Sequence, residues 1–179
     1  MDQSLIIPKK HYLHPNLEKR FINKKVGYGI FTKVPIKKGE ILEQASGRLI
    51  TRKEYKNLDA EAKNYAFEVD DEFFLAPHNF KKMPDGWYIN HSCNPNSGGG
   101  DAFTSFALRD ISKDEEITYD YAIVDTESSL IKPMECHCGA KQCRKKITAN
   151  DWKIPELQKR YRGMFSPHVQ RKIDALKNN

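Results

Sequence analysis

Four cysteines are candidate ligands for a metal ion. Cys136, Cys138 and Cys143 fall within eight residues, and Cys93 lies 43 positions upstream of Cys136. Zinc accepts four thiolates in a tetrahedron, and a tight cluster with one remote ligand can satisfy that geometry. Two disulfides or free thiols are the alternatives for an even number of cysteines. In an intracellular chain, whose thiols are kept reduced, Zn2+ is the favoured interpretation.

An all-cysteine zinc site has no vacant coordination position and is therefore structural. Gly139 gives the loop freedom to turn back on the metal. Arg144 and the nearby lysines would offset the negative charge of the four thiolates. Reactive chemistry is therefore expected elsewhere in the chain.

Three further segments combine glycine, asparagine, histidine and tyrosine. Gly27-Tyr28-Gly29 precedes a strand-like run, residues 88–96 read YINHSCNPN, and residues 115–121 read EEITYDY. Tyrosine hydroxyls donate and accept hydrogen bonds without carrying a fixed charge. Hydroxyl groups of this kind suit a reaction whose rate depends on how precisely the reacting groups are positioned.

With the Cys-x-Cys-x4-Cys cluster, these segments resemble the SET-domain protein-lysine methyltransferases that carry a post-SET zinc motif. The resemblance covers residues 21–147, and its parts occur in the family's order. A lone Gly-x-Gly is a weak signal, whereas the Asn-His-Ser-Cys and Tyr-Asp-Tyr motifs followed by the cysteines are specific. The resemblance implies transfer of a methyl group from S-adenosylmethionine to a protein lysine.

The resemblance also implies a role for each matching residue. Tyr121 matches the catalytic tyrosine that orients the amine, Tyr119 lies two positions before it, and Tyr65 matches a second tyrosine of the lysine channel. Residues expected to bind the cofactor are Gly27, Tyr28, Gly29, Asn90, His91 and Tyr121. Residues expected to hold zinc, which would clamp the C-terminal segment over the active site, are Cys93, Cys136, Cys138 and Cys143.

Ordinary structural interpretations exist for the same residues. The glycine pair is also compatible with a strand bend, and Asn90-His91 with a turn. Tyr65 is equally compatible with a core aromatic, because its segment is less distinctive than the others.

Methyl transfer to an amine is an in-line displacement that requires a neutral nitrogen. Free lysine has a pKa near 10.4, so deprotonation at neutral pH costs about 4–5 kcal/mol. A desolvated site beside a cationic sulfonium reduces that cost. The remaining requirement of the reaction is the alignment of the lysine nitrogen, the methyl carbon and the sulfonium sulfur.

The expected substrate is a Lys-rich protein such as a histone or a histone-like protein. In this family the residue at the position of Tyr119 tunes the number of methyl groups, and a tyrosine hydroxyl restricts the room for them. The resemblance therefore predicts mono- or dimethylation. Trp87-Tyr88 stands where many members carry Arg-Phe, and Arg48 replaces a common acidic residue, so substrate preference is open.

The charge distribution leaves a second function open. The chain of 179 residues has a net charge of +6. Residues 1–25 carry six basic and two acidic side chains, and residues 141–179 carry eleven basic and three acidic side chains. Residues 26–140 carry 13 basic and 19 acidic side chains, so this acidic central region suits a basic peptide. The basic tail suits a weak nucleic-acid contact, and the alternative function is a catalytically inactive, zinc-stabilised module that binds nucleic acid or protein.

Length and composition favour one intracellular domain with a small appendage. Nine Phe, eight Tyr and two Trp argue against disorder. No apolar run approaches the roughly 20 residues of a membrane span. The first residues also lack the pattern of a secretory signal. We expect no membrane partner, and we expect the cytoplasm in a bacterium or the nucleus and chromatin in a eukaryote.

Short runs of β-branched and aromatic residues between Gly and Pro predict a mainly β fold with short helices. Strands are predicted over 27–34, 40–45, 65–69, 72–76, 103–108 and 116–122. A helix is predicted over 51–65, where Thr51 and Glu54 form a capping box. A basic, amphipathic helical tail should begin at Pro155 and dock on the body through Leu157, Arg160, Tyr161, Val169, Ile173 and Leu176.

The resemblance implies a SET-domain fold of small β-sheets, in which residues 88–96 and 116–121 form a pseudoknot. The predicted divisions are an N-terminal lead-in (1–20), the SET domain (21–124), a linker with the post-SET zinc motif (125–147) and the basic helical tail (148–179). The acidic run from Glu68 to Glu72 either contacts a basic peptide or is simply solvated.

Overall fold

The computed structural model describes residues 6–127 and 133–177. Within them the strands are β1 (Tyr12–Leu13), β2 (Leu17–Asn23), β3 (Gly27–Thr32), β4 (Ile41–Gln44), β5 (Arg48–Thr51), β6 (Phe67–Glu68), β7 (Phe73–Ala76), β8 (Asn90–His91), β9 (Ser97–Gly98), β10 (Thr104–Ala107), β11 (Glu116–Tyr119), β12 (Met134–Glu135) and β13 (Lys146–Ile147). The helices are α1 (Arg52–Asn57), α2 (Ala60–Lys63), α3 (Pro155–Arg160) and α4 (Pro167–Lys177). The mainly β fold with short helices is confirmed. Across these two ranges, every helix is too short or too polar to cross a membrane.

Three small sheets form the body of the molecule. Their strand orders are β1-β4-β10-β9, β2-β3-β11-β8 and β5-β7-β6. The first two sheets share a core in which Ile30, Leu42 and Ile117 are fully buried. Burial of each such side chain stabilises the fold by about 1.5–3 kcal/mol. The strands that lead to the predicted site are therefore fixed on a rigid core.

A parallel contact between β8 and β11 brings two of the sequence motifs together. Asn90 lies opposite Thr118, and His91 lies opposite Tyr119. The Asn96 side chain accepts a hydrogen bond from the Thr118 N–H at 2.9 Å and donates one to the Glu116 carbonyl at 2.8 Å. Segment 88–96 is thus held against 116–121, which is the contact that the predicted pseudoknot requires.

The predicted helix over 51–65 is broken into two. Its capping box is present, since the Thr51 side chain accepts from the Glu54 N–H and Glu54 accepts from the Thr51 N–H. Leu58 adopts an extended conformation, and the Asp59 side chain accepts from the Ala62 N–H to cap α2. An aspartate at this position stabilises a new helix start and so ends the first helix.

Residues 12–20, expected to be a polar lead-in, contain β1 and the start of β2. Strand β2 pairs with β3 from Leu17, opposite Thr32, to Asn23, opposite Gly27. Strand β5 and the two-residue strands β8 and β9 were also not predicted. At the other end, β11 stops at Tyr119, and Tyr121–Ile123 form a 3-10 turn instead of continuing the predicted strand.

The C-terminal tail docks on the body, as predicted. Leu157, Tyr161, Val169 and Ile173 are buried in a cluster that includes Ile123 from the 3-10 turn after β11. Leu176, expected on the apolar face, is 50% exposed. Arg160, which was also expected on the docking face with Leu157 and Tyr161, instead donates a hydrogen bond to the Cys93 carbonyl at 3.1 Å.

The hairpin of β6 and β7 is anchored to α4. Glu68 is fully buried, accepts a hydrogen bond from the Thr126 hydroxyl and lies 3.4 Å from His168 Nε2. Asp71 pairs with Lys172 at 3.1 Å. Glu68 is therefore an internal anchor, and neither of the interpretations offered for it, a peptide contact or a solvated side chain, is correct.

Candidate active site and metal centre

A cleft of about 650 Å³ collects four of the predicted site residues. Tyr65, Asn90, Tyr119 and Tyr121 line it. Its volume lies within the range of about 300–1,000 Å³ that is usual for ligand sites. Gly27, Tyr28, Gly29 and His91 are not among the lining residues.

Tyr119 and Tyr121 lie side by side, with ring centroids 5.0 Å apart. Burial, assisted by the Asp125 charge, raises the pKa of Tyr121, and burial raises the pKa of Tyr119 well above its usual value. Burial also raises the pKa of Tyr65. All three phenols therefore stay protonated at neutral pH, where they can orient a ligand but do not act as bases.

The glycine segment is attached to the cleft through Asn90. The Asn90 side-chain amide donates to the Tyr28 carbonyl at 2.9 Å and to Glu116 Oε1 at 2.8 Å. A Cβ atom on Gly29 would overlap Glu116 Oε1 and lie 2.9 Å from Asn90 Nδ2. Glycine is needed at this position because the Asn90–Glu116 pair occupies the space of a side chain.

The His91 imidazole does not line the cleft but contacts the backbone of Tyr121, which does. Its Nδ1 accepts a hydrogen bond from the Tyr121 N–H at 3.2 Å, and its Nε2 lies 3.4 Å from Cys93 Sγ. Burial lowers the pKa of His91 to about 4, against the influence of Asp120, so the ring is neutral and can accept at Nδ1. The side chain therefore fixes the backbone of Tyr121 and contacts the cysteine cluster.

The four cysteines fit a zinc ion. All are free, and their Sγ atoms lie within 4.8 Å of one another. The 3.8 Å between Cys93 Sγ and Cys136 Sγ matches the edge of about 3.8 Å expected for a tetrahedron with Zn–S bonds of about 2.3 Å. Although burial opposes ionisation, backbone N–H groups of Cys93 and Ala140 help to lower the pKa of Cys138 to about 6. The thiolate, the ligand form that zinc requires, is thus favoured at Cys138, whereas burial raises the pKa of Cys93 and Cys136.

A buried ion-pair network, not predicted from the sequence, joins the cleft to the cysteine cluster. The Arg144 guanidinium donates to both oxygens of Asp120, at 2.6 and 2.8 Å, and to Asp151 at 2.7 Å. Asp120 is fully buried and also accepts from the Tyr161 hydroxyl at 3.0 Å. Bidentate pairs of this kind are strong and directional.

Arg144 therefore has a second role beside the expected offset of the thiolates, since its charge also opposes the rise that burial causes in the pKa of Cys93. Its side chain is directed to two carboxylates, while its backbone N–H donates to Cys93 Sγ at 3.4 Å. In the sequence, Asp120 lies between Tyr119 and Tyr121, and Arg144 directly follows Cys143, so each residue belongs to a recognised motif. The sequence did not predict that the two side chains form an ion pair, because they are 24 positions apart.

The family model for the SET domain matches residues 27–122. The chain belongs to the SET-domain family. Histone-lysine N-methyltransferase ash1 of Drosophila melanogaster is 30% identical over 164 residues, which cover 83% of this chain and 7% of that protein. Putative histone-lysine N-methyltransferase ASHH4 of Arabidopsis thaliana is 32% identical over 143 residues, which cover 72% of this chain and 39% of that protein. This SET-domain chain thus spans less than half the length of either relative.

A solved SET-domain structure has the same fold. The crystal structure of KRYPTONITE in complex with mCHH DNA, H3(1-15) peptide and SAH matches with a TM-score of 0.56 and 27% identity. The match covers 76% of this chain and 30% of that one. The predicted SET-domain fold is confirmed.

Proposed function

We propose that this SET-domain protein transfers methyl groups from S-adenosylmethionine to lysine side chains of a protein. The convergence of Tyr65, Tyr119, Tyr121 and Asn90 on one cleft carries the proposal. Two relatives are named histone-lysine methyltransferases, and the KRYPTONITE complex holds SAH, the form of the cofactor that has lost its methyl group. Both support this reaction class.

The cofactor supplies an electrophilic methyl group when it is bound. We assign its binding to the segment Gly27-Tyr28-Gly29, to Asn90-His91 and to Tyr121. In this arrangement Asn90 fixes the glycine segment through the Tyr28 carbonyl. His91 fixes the Tyr121 N–H, so that the ring of Tyr121 enters the cleft from a restrained backbone.

The tyrosines position the substrate amine. Because their hydroxyls stay protonated, Tyr65, Tyr119 and Tyr121 orient the nitrogen through hydrogen bonds and leave its proton to be lost by another route. Alignment of the nitrogen with the methyl carbon and sulfur is the main contribution of such a site.

Zinc bound by Cys93, Cys136, Cys138 and Cys143 is proposed to be structural, because four thiolates complete its coordination. Its position ties residues 134–147 to the segment that contains Asn90 and His91. The Arg144–Asp120 pair extends the connection to the two tyrosines. Zinc binding thereby completes the wall of the cleft.

The substrate that we propose is a Lys-rich protein, a histone or a histone-like protein, and Tyr119 favours mono- or dimethylation. In a eukaryotic cell the protein would act in the nucleus on chromatin, and in a bacterium it would act in the cytoplasm. We propose residues 21–124 as the SET domain and 125–147 as the linker with the zinc motif. Of that linker, residues 128–132 lie outside the described part of the chain.

Labelled S-adenosylmethionine tests the proposal. Zinc-loaded protein is incubated with the labelled cofactor and a mixture of histones and small basic proteins. Label on lysine supports the function, and absence of transfer to any lysine in the mixture contradicts it. Binding to duplex DNA that falls steeply with salt, without cofactor binding, would favour the inactive binding module instead.

A further inference from the structure

The cleft contains a polar chamber that the proposed methyl-transfer residues leave unexplained. Glu43 on β4 lies opposite Ser105 on β10, and both line the cleft together with Trp87. Ser105 Oγ and Trp87 Nε1 are buried, and neither has a hydrogen-bond partner in the described protein. Buried polar atoms of this kind are normally satisfied by a ligand or by water.

His11 lies next to Glu43 on the other side of this chamber. Its Nε2 is 3.7 Å from Glu43 Oε1, and both of its ring nitrogens are buried without a hydrogen-bond partner among residues 6–127 and 133–177. A Cβ atom on Gly86 would overlap Glu43 Oε1 and lie 2.7 Å from His11 Nε2. The glycine therefore leaves room for two titratable side chains.

Burial shifts the titration of both groups. It raises the pKa of Glu43 to about 8 and lowers the pKa of His11, while the Asp85 charge acts on His11 in the opposite direction. A carboxyl group with such a pKa takes up and releases protons near neutral pH.

Few titratable groups interact with Glu43. In the described ranges they are His11 and Tyr119, whose pKa the Glu43 charge helps to raise, while Asp85 acts on His11 and is paired with Lys19 at 2.9 Å. Glu43 forms no ion pair with a lysine or arginine of the described chain. The unpaired atoms of the chamber include donors and acceptors, a combination that water satisfies best.

We propose that Glu43 and His11 form the proton-release path of the methyl-transfer site, and that water in the chamber connects them to the Tyr119 hydroxyl. The inference rests on the proposed function. One N–H bond of the substrate ammonium breaks, and its proton passes through water to the Glu43 carboxylate. The freed electron pair on nitrogen forms the bond to the methyl carbon, while the C–S bond breaks and its pair stays on sulfur. Glu43 then passes the proton through His11 to solvent.

The pH dependence of kcat/KM for a lysine peptide tests this path with Glu43→Gln. In the wild type, kcat/KM should rise with pH as Glu43 ionises and level off above about 8. In the variant it should keep rising by about tenfold per pH unit toward the lysine pKa near 10.4. The loss should be about tenfold or more up to about pH 8 and should shrink above that pH, where only the variant keeps rising. Coincident profiles would overturn the proposal.

Controls separate this role from a general effect on folding. Glu156→Gln, an exposed carboxylate on α3, should reproduce the wild-type profile. Cofactor affinity and the unfolding midpoint show whether Glu43→Gln is folded. If the variant does not fold, carbon-13 NMR of the wild type labelled at glutamate carboxyls decides. One carboxyl should titrate near pH 8, and no titration above about pH 6 would reject the path.

The same experiment distinguishes two kinds of failure. A wild type that transfers no methyl group at any pH rejects the proposed function, and the proton path with it. A wild type that transfers methyl groups with the same profile as Glu43→Gln rejects the path alone.

Discussion

The backbone around Asp120 is restrained on both sides. The Tyr119 carbonyl accepts from the Ser92 N–H at 3.0 Å, and the Tyr121 N–H donates to His91 Nδ1 at 3.2 Å. With the backbone fixed, the two rings have few ways to move relative to the cleft. Precise placement matters because a displacement of about 1 Å can cost about 10²-fold in rate.

Replacement of Tyr119 by phenylalanine should change the product. In the proposed site the Tyr119 hydroxyl takes up room beside the substrate amine, so Tyr119→Phe should increase the share of higher methylation states. Mass spectrometry of the product at matched conversion measures the distribution. Tyr12→Phe, at a tyrosine that is 38% exposed on β1, should leave it unchanged. An unaltered distribution in Tyr119→Phe, or trimethyl-lysine as the main wild-type product, would contradict the assignment.

Loss of the Arg144 side-chain charge should destabilise the protein. Arg144→Gln leaves Asp120 buried without its cation, which typically costs about 3–5 kcal/mol. Denaturant unfolding should show this loss in the free energy of unfolding, and methyl transfer should fall with it. Arg162→Gln, at an exposed arginine, is the matched control. A free energy equal to that of the control would contradict the network's role.

Residue types predicted the cysteine site, because metal ligands are recognised by chemistry and spacing alone. The motifs also predicted Asn90, Tyr119 and Tyr121 at the cleft. The unpaired hydroxyl of Ser105 had no such signal, since its environment arises only when β4 and β10 pair. Sequence spacing carries little information about contacts between distant strands.

At the scale of elements, short segments hold the site together. Strand β8 has only two residues, yet it carries Asn90 and His91 onto β11. The pair β12–β13 flanks the three C-terminal cysteines. These elements are too short to be stable alone and depend on their partners.

Removal of zinc should loosen the segment around β12 and β13. A chelator, or Cys138→Ser, should lower the melting temperature and reduce methyl transfer by about tenfold or more, because the metal supplies folding energy to the segment. Zinc content, thermal unfolding and activity are measured together. Added zinc should restore the chelated wild type. Full activity in protein shown to contain no zinc would contradict the clamp.

The anchor between the β6–β7 hairpin and α4 should be essential for stability. Glu68→Gln keeps the size of the side chain but removes a buried charge that lies 3.6 Å from Arg52 and 3.4 Å from His168. The expected loss in unfolding free energy is about 3–5 kcal/mol, measured with denaturant. The exposed neighbour Glu72, changed to Gln, is the control. Equal stability of the two variants would show that the anchor contributes little.

Elements with strong local patterns were predicted and those dependent on pairing were not. The β-branched and aromatic residues of β3 and the capping box of Thr51 marked their segments. Strand β2 was not predicted because its sequence contains charged residues such as Lys19 and Arg20, which lower the strand signal. They are tolerated because β2 is an edge strand. The break at Leu58 was missed because helix propensity alone does not reveal the competing cap at Asp59.

At the scale of the whole molecule, the basic ends pair with the acidic centre. Lys19 binds Asp85 at 2.9 Å, Arg20 binds Asp114 at 2.8 Å, and Lys172 binds Asp71 at 3.1 Å. The uneven charge distribution of the sequence therefore serves partly to attach both ends to the SET core. Each exposed pair adds at most about 1 kcal/mol, so their combined effect is more important than any one of them.

We assign Tyr121 the central role in the proposed lysine methyltransferase site. Tandem mass spectrometry of histones incubated with zinc-loaded protein and S-adenosylmethionine tests it most directly. The wild type should produce methyl-lysine, and Tyr121→Phe should reduce the rate by about 10²-fold or more while it still binds the cofactor. Tyr12→Phe should act as the wild type does. An unchanged rate in Tyr121→Phe, or cofactor binding by the wild type without methylation of any lysine in the mixture, would contradict the claim.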